Sequence, residues 1–313
     1  MVVMKAVRIH GYGGCDVLVY EDAPCPTVGE DDVLVRVHAA AVNPIDWVVR
    51  AGYVAEWFNH TLPLILGWDV SGVVEASGPR VTDFAAGDEV MGRTDLNRDG
   101  AYAEYMAVRA SELVRKPASL DHLQAAAIPH AALTAWKTLV EAAGLTSGQR
   151  VLIHRAAGGV GTFAVQLARW RGAHVIGTAS AQNLEFVRQL GVDEAIDYKA
   201  INFEEVVHDI DVVLDTLGGE TLARCWRVLK PGGMLVSVVE PPSEELAQAH
   251  GVQQRFVTTD PDTKALEEIV ALIEVGLITP VVSTVLPLQK VQEAHALSES
   301  MHARGKIVLQ VRA

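Results

Sequence analysis

The stretch VLIHRAAGGVGTFAVQLAR (151–169) holds the residue types and spacing that point most directly to chemistry. A short apolar run that reads as a buried strand leads into Ala156-x-Gly158-x-x-Gly161, and a helix-forming run follows. Gly158 lets the backbone approach a pyrophosphate with no Cβ in the way, and Gly161 lets the helix pack closely on the strand. The helix start, at Gly159 and Val160, presents unpaired N–H groups and the positive end of the helix dipole to phosphate. Ala156 stands where the usual fingerprint has its first glycine. A glycine pattern alone also describes a tight turn. The strand before it and the helix after it are the context that makes it a dinucleotide site.

The end of the next strand selects the dinucleotide. An acidic residue about 20 positions past the loop would take the ribose 2′-OH of NAD. Here the strand ends GTAS (177–180), with Ala179 and Ser180 and no acid. That leaves room for a 2′-phosphate, so NADPH is the expected cofactor. Ser180 and Asn183 are its candidate hydrogen-bond donors, although Ser180 reads equally well as a helix N-cap. Tyr198, which closes EAIDY, is a further cofactor candidate. Arg188 and Lys199 are the nearest basic candidates for the phosphate charge.

These residues need elements to position them. From Arg150 onward strands and helices alternate: RVLIH, GVGTFAVQLARWRG, HVIGTA, NLEFVRQLG, EAIDY, IDVVLDT, GGMLVSVV. This alternation predicts a parallel sheet with right-handed crossovers, a doubly wound α/β domain. The first ~120 residues instead show alternating or apolar runs between Gly, Pro and Asp, the pattern of a β-rich domain. VLVRVHA is the clearest of these strands. Between the two, SLDHLQAAAIPHAALTAWKTLVEAAG reads as helix, with Ser119 or Asp121 as N-cap and Gly144 as its stop. The helix-forming TKALEEIVALIEVG and KVQEAHALSESMHA precede a last strand, GKIVLQV.

Composition narrows the classes. With 313 residues, 50% hydrophobic and 21% charged, the chain is long enough for two packed domains. Lys and Arg number 26 against 39 Asp and Glu, a net charge of −13, which argues against nucleic acid or an anionic membrane as partner. Three scattered cysteines, Cys15, Cys25 and Cys225, form neither a disulfide framework nor a metal cage. Together with an N-terminus that lacks a signal-like apolar core, they predict a cytoplasmic protein. The most apolar stretch, residues 125–144, is interrupted by His130, Lys137 and Glu141, so no spanning helix is expected.

The segment GQRVLIHRAAGGVGTFAVQLAR (148–169) resembles the signature of the medium-chain dehydrogenase/reductase superfamily, in its zeta-crystallin-like quinone oxidoreductase branch. AVNPIDWVVRAGY, LGWDVSGVVEASG, GDEVMG, LTAW, VLDTLGG and GKIVL resemble further family landmarks in the expected order, so the likeness spans nearly the whole chain. The resemblance implies a GroES-like catalytic domain at 1–123 and 281–313 and a Rossmann domain at 124–280. It also implies a homodimer or homotetramer joined through the cofactor-domain sheets, with the edge strand near VQQRFVTT (252–259).

Carried over position by position, the zinc ligands of the metal-dependent members fall on Asn43, on Gly67-Trp68-Asp69 and on His130, and the four-cysteine zinc lobe is missing. Zinc requires about three good donors, so no metal is expected. The resemblance puts Asn43 beside the nicotinamide and Thr134 of LTAW against its ring. Tyr53 is a candidate donor to a substrate oxygen or else a buried ring, and His130 either lines the cleft or packs in the core. Asn43 before Pro44 also reads as a simple turn residue. Trp47, Trp57 and Trp68 read as core or as a wall for a flat apolar substrate. Asp69 and Asp88 are expected to cap backbone N–H groups rather than to act as acids. The expected activity is NADPH-dependent hydride transfer to small quinones or to the C=C bond of enones and enals. A zinc-independent carbonyl or alcohol dehydrogenase, and a non-enzymatic NADPH-binding crystallin-like protein, are the alternatives.

Overall fold

Along Asp32–Val42 the side chains of Val33, Val35 and Val37 are fully buried, while Leu34, Arg36 and His38 between them are not. That period of two makes a half-buried strand, and in the computed structural model, which describes residues 3–312, it is the centre of the first unit. The strands before and after it are β1 (Val3–Ile9), β2 (Val19–Pro24), β3 (Asp32–Val42 itself), β4 (Leu64–Ile65), β5 (Asp69–Ser77), β6 (Glu89–Arg93), β7 (Tyr105–Arg109) and β8 (Leu113–Arg115). Strand β3 pairs antiparallel with β5 and β7. It also pairs with the last strand of the chain, Lys306–Gln310, in the register Ile307 to Val42. The C-terminal segment thereby completes the first unit's sheet. A smaller sheet, β2-β1-β4, adds to the same apolar core.

The second unit holds a six-stranded sheet built from β9 (Arg150–Ile153), β10 (His174–Ala179), β11 (Glu194–Asp197), β12 (Ile210–Asp215), β13 (Leu229–Ser237) and β14 (Gln253–Phe256). Its order is β11-β10-β9-β12-β13-β14, and every pair is parallel. This is the doubly wound Rossmann arrangement, in which the strand order reverses beside the first strand. Leu152, Ile176, Val213 and Leu235, one from each central strand, are fully buried in one cluster.

Two features differ from the sequence expectation. The helix expected across 119–144 is broken into His122–Ala126, Pro129–Trp136 and a wider π turn over Lys137–Ala142. Asp121 caps the first piece, accepting the Gln124 N–H at 2.7 Å while Gln124 accepts the Asp121 N–H at 3.2 Å. Pro129, which has no N–H and disfavours a helical Ile128, makes the break. The second difference is in the unit boundaries, 1–130, 260–274 and 280–313 against 131–259 and 275–279, where the sequence put them at 123 and 280. The helix Thr263–Glu274, which buries Leu266 and Ile269, lies against β8 and so joins the first unit. The short return 275–279 is tied to the second unit by Gln166, whose amide bonds both the N–H and the C=O of Thr279, at 2.8 and 3.0 Å. No helix among the described residues is long and apolar enough to cross a membrane.

Candidate active site

In the second unit β9 runs into the glycine loop and then into the helix Gly159–Trp170. Gly158 is the N-cap, with no side chain to bond the first turn, so the N–H groups of Gly159, Val160 and Gly161 have no partner within the helix. A Cβ on Gly161 would stand 2.1 Å from the Arg155 carbonyl oxygen, and one on Gly158 would stand 3.2 Å from it. Gly161 therefore has to stay bare and Gly158 has room for a side chain only if the loop gives slightly, and the loop leaves a cradle of donors that fits a pyrophosphate. Ala156 is tolerated where the usual fingerprint has glycine because the opposing strand supplies the space. A Cβ on Gly177 of β10 would lie 2.9 Å from the Ala156 Cβ.

Strand β10 ends at Ala179, and Ser180 and Asn183 follow in one turn, the Asn183 amide donating to the Ser180 hydroxyl at 3.1 Å. Tyr198 joins them through its N–H, which donates to the Ala179 carbonyl at 3.2 Å. Ser180, Asn183 and Tyr198 are thus gathered at one strand end. Thr134 is buried in the same unit with its hydroxyl 2.7 Å from that of Thr259, a partner that the sequence reading missed.

In the first unit Asn43 is buried as the N-cap of the helix Pro44–Arg50. Its amide is held on both sides. Lys306 donates to Oδ1, and Nδ2 donates to Asp69 at 2.9 Å. An ammonium only donates and a carboxylate only accepts, so these two partners fix which end of the amide is nitrogen. Lys306 also donates to the Val42 carbonyl at 3.2 Å and lies 3.7 Å from the Asp69 carboxylate. Burial pushes the Asp69 carboxyl up and the Lys306 ammonium down, and each charge opposes the shift of the other.

Asp46 is the second buried carboxylate beside this cluster. It accepts the Asn43 backbone N–H at 2.7 Å and the Tyr102 hydroxyl at 2.9 Å, and burial raises its pKa to about 7. His295 lies behind Tyr102 at 3.3 Å, and Arg50 behind His295 at 3.2 Å. Arg50 can only donate, so His295 Nδ1 accepts and its Nε2–H faces Tyr102. Neither Asp46 nor Lys306 was singled out from the sequence. The signals present were the Asn-Pro-x-Asp spacing and the lysine of GKIVL.

The remaining candidates divide. His130 belongs to the cluster: its N–H donates to Asp69 Oδ1 at 2.9 Å and its Nδ1 accepts from Arg93 at 3.1 Å, so the ring proton sits on Nε2. Burial, then Arg93 and Lys306, hold His130 neutral. Asp69 does cap a backbone N–H as expected, and Asp88 likewise accepts from Ala85 at 2.9 Å. Tyr53 does not join the network; it lies 75% exposed in the turn after the helix Pro44–Arg50. Trp68 is core, 1% exposed, with its indole donating to the Arg98 carbonyl, whereas Trp57 is 75% exposed.

The positions that correspond to zinc ligands do not fit zinc. The Asn43 oxygen faces an ammonium, Asp69 is engaged by two N–H donors, and His130 Nδ1 faces a guanidinium. A divalent cation would share the site with Lys306. Among the described residues no three His, Cys, Asp or Glu side chains gather as a metal site.

A parallel doubly wound unit with a bare glycine loop, joined to a β-rich unit with a buried polar cluster, defines a dinucleotide-dependent oxidoreductase of the two-unit kind. A family model described as an alcohol dehydrogenase GroES-like domain matches residues 29–118, and one described as a zinc-binding dehydrogenase matches 190–309. The bovine (Bos taurus) mitochondrial NAD(P)H oxidoreductase RTN4IP1 is 37% identical over 99% of this chain and 89% of its own. The chloroplastic NADPH-dependent alkenal/one oxidoreductase of Arabidopsis thaliana is 37% identical over 98% of this chain and 79% of its own. The solved quinone oxidoreductase of Coxiella burnetii superposes with a TM-score of 0.94 at 34% identity, covering 99% of this chain and all (100%) of the other. The chain belongs to the medium-chain dehydrogenase/reductase superfamily, among relatives that include quinone and alkenal/one oxidoreductases.

Proposed function

We propose that this chain is an NADPH-dependent reductase of small quinones and of the activated C=C bond of enones and enals, working without zinc. The observation that carries the reading is the Lys306–Asn43–Asp69 clamp. It puts an oriented amide at Asn43 and a carboxylate at Asp69, two positions that correspond to zinc ligands in metal-dependent members, and holds the Lys306 side chain beside them. The glycine cradle and the acid-free end of β10 support NADPH. The relatives named for NADPH, alkenals and quinones support the substrate class.

When bound, NADPH supplies the hydride. The chain has to meet the negative charge that then builds on the substrate oxygen. The Asn43 amide has one N–H committed to Asp69 and keeps a second, which we assign to that oxygen. Lys306 holds the amide in this orientation. Thr134, fixed by Thr259, and the loop residues 156–161 orient the cofactor, and Ser180, Asn183 and Tyr198 receive its ribose end. We assign no specific role to Tyr53 beyond that of an exposed donor. We further propose a homodimer paired along β14, in a reducing compartment such as the cytoplasm, where the free thiols of Cys15, Cys25 and Cys225 persist.

The test is NADPH consumption with a small enone, a small enal, a small quinone and a saturated ketone, with and without a strong chelator. Turnover of the first three, a saturated carbonyl product from the enone and indifference to the chelator are expected. Turnover of the ketone alone, or loss of activity on chelation, overturns the reading.

A further inference from the structure

The three adjacent strands β9, β10 and β11 end side by side, and each is followed by a residue that converges on the same corner. Ser180 follows β10 and Tyr198 follows β11. After β9 comes His154 and then Arg155, a long cation at the entrance of the glycine loop. Its backbone has φ +52°, the left-handed region that favours glycine. The Arg155 N–H donates to the Thr178 hydroxyl at 3.3 Å, and the Ala156 N–H donates to the Thr178 carbonyl at 3.0 Å. The loop entrance is thereby tied to β10 one residue before its end, while Tyr198 is tied to Ala179 from the other side.

The side chain lies against the glycine loop, within electrostatic reach of Tyr198. Arg155 Nε lies 3.8 Å from where a Cβ on Gly158 would stand, and the Tyr198 phenol is an electrostatic neighbour of the guanidinium. Arg155 is half-buried and so already partly desolvated. The other basic groups near the corner are less well placed. Arg188 is exposed and pairs with Glu185 at 3.9 Å, and Lys199 is exposed, 5.9 Å from the centre of the Tyr198 ring.

We propose that Arg155 is the cation that recognises the 2′-phosphate and so selects NADPH over NADH; this rests on the NADPH reading above. A guanidinium stays charged at all working pH values and presents a planar fork of donors that matches phosphate oxygens. Ser180 and Asn183 at the strand end would complete the contact.

The experiment is fluorescence titration of the full chain with NADPH, NADH, 2′,5′-ADP and 5′-AMP, for the wild type, Arg155→Gly, Arg155→Lys and Lys199→Ala. Glycine suits φ +52°, so Arg155→Gly removes the side chain without adding strain. We expect it to weaken NADPH and 2′,5′-ADP by about 10- to 100-fold, the range of a charge-assisted bidentate pair. NADH and 5′-AMP binding should stay within about twofold, Arg155→Lys should recover part of the loss, and Lys199→Ala should change little. Equal weakening of NADPH and NADH would move Arg155 to the pyrophosphate and overturn the proposal. So would an unchanged Arg155→Gly, or a selective loss in Lys199→Ala alone. A wild type that binds NADPH and NADH alike fails the NADPH reading itself, and a wild-type preference that survives Arg155→Gly fails only the Arg155 assignment.

Discussion

Asn43 carries its proposed role only because two residues far away in the chain hold it. Lys306, 263 positions on, takes the amide oxygen, and Asp69 takes one amide hydrogen. Replacing Lys306 by Met removes the clamp and leaves Asp69 buried without its ion pair. Breaking one partner of a buried pair costs about 3–5 kcal/mol, so Lys306→Met should shift urea unfolding markedly. Lys306→Met with Asp69→Asn should recover part of that stability, because the carboxylate no longer lacks the Lys306 ammonium, while Arg93 loses one of its acidic neighbours. In both variants the Asn43 amide is free to turn over, so kcat for an enone should fall at least about tenfold while NADPH affinity stays unchanged. Asn43→Ala should match that fall, and Tyr53→Phe, at an exposed hydroxyl, should not. If the double variant regains stability and also full enone turnover, Lys306 is structural only. The sequence pointed to Asn43 through its place in a recognisable segment. It did not show Lys306 or Asp46, because their importance comes from burial and pairing across strands, which residue spacing does not carry.

At the scale of elements, the cofactor loop was legible because everything it needs is local: a strand, bare positions and the start of a helix within twelve residues of Arg150. The helix over 119–144 was less legible, since Pro129 lies in an otherwise continuous helix-forming run and the π turn after Trp136 has no compositional mark. The packing that turns Gly161 from a pattern into a requirement appears only in three dimensions. A methyl group there would enter the Arg155 carbonyl at 2.1 Å and the Ala156 Cα at 2.8 Å, both of them backbone atoms that cannot swing away. Gly161→Ala must therefore move the loop or the helix start, at a cost of about 1–3 kcal/mol as for other overpacked sites. Because the same N–H groups form the cradle, dinucleotide affinity should drop at least tenfold for NADPH and NADH alike, read by titration beside a thermal melt. Unchanged affinity in a folded variant would mean that the cradle does not hold the pyrophosphate.

At the scale of the whole molecule, the β-rich first part and the alternating second part were legible from residue pattern, whereas the return of the C-terminal strand to the first unit followed from the family likeness. The proposed assembly rests on the outer side of β14. This strand is the edge of the six-stranded sheet, hydrogen-bonded to β13 on one side only. The Val257 N–H donates inward to the Ser237 carbonyl at 3.0 Å. Backbone groups alternate sides along a strand, so those of Gln254 and Phe256 point outward. Phe256 is 38% exposed on the same strand. Exposed edges of this kind are templates for pairing with another copy unless blocked, and β14 contains no Pro and a single charged residue, Arg255. Gln254→Pro removes one outward donor while leaving the inward ladder to β13 intact. The wild type is expected to be a dimer by light scattering at micromolar concentration, and Gln254→Pro a monomer with nearly unchanged NADPH affinity. A monomeric wild type would rule out assembly along β14, and a variant that stays dimeric would move the interface to another surface.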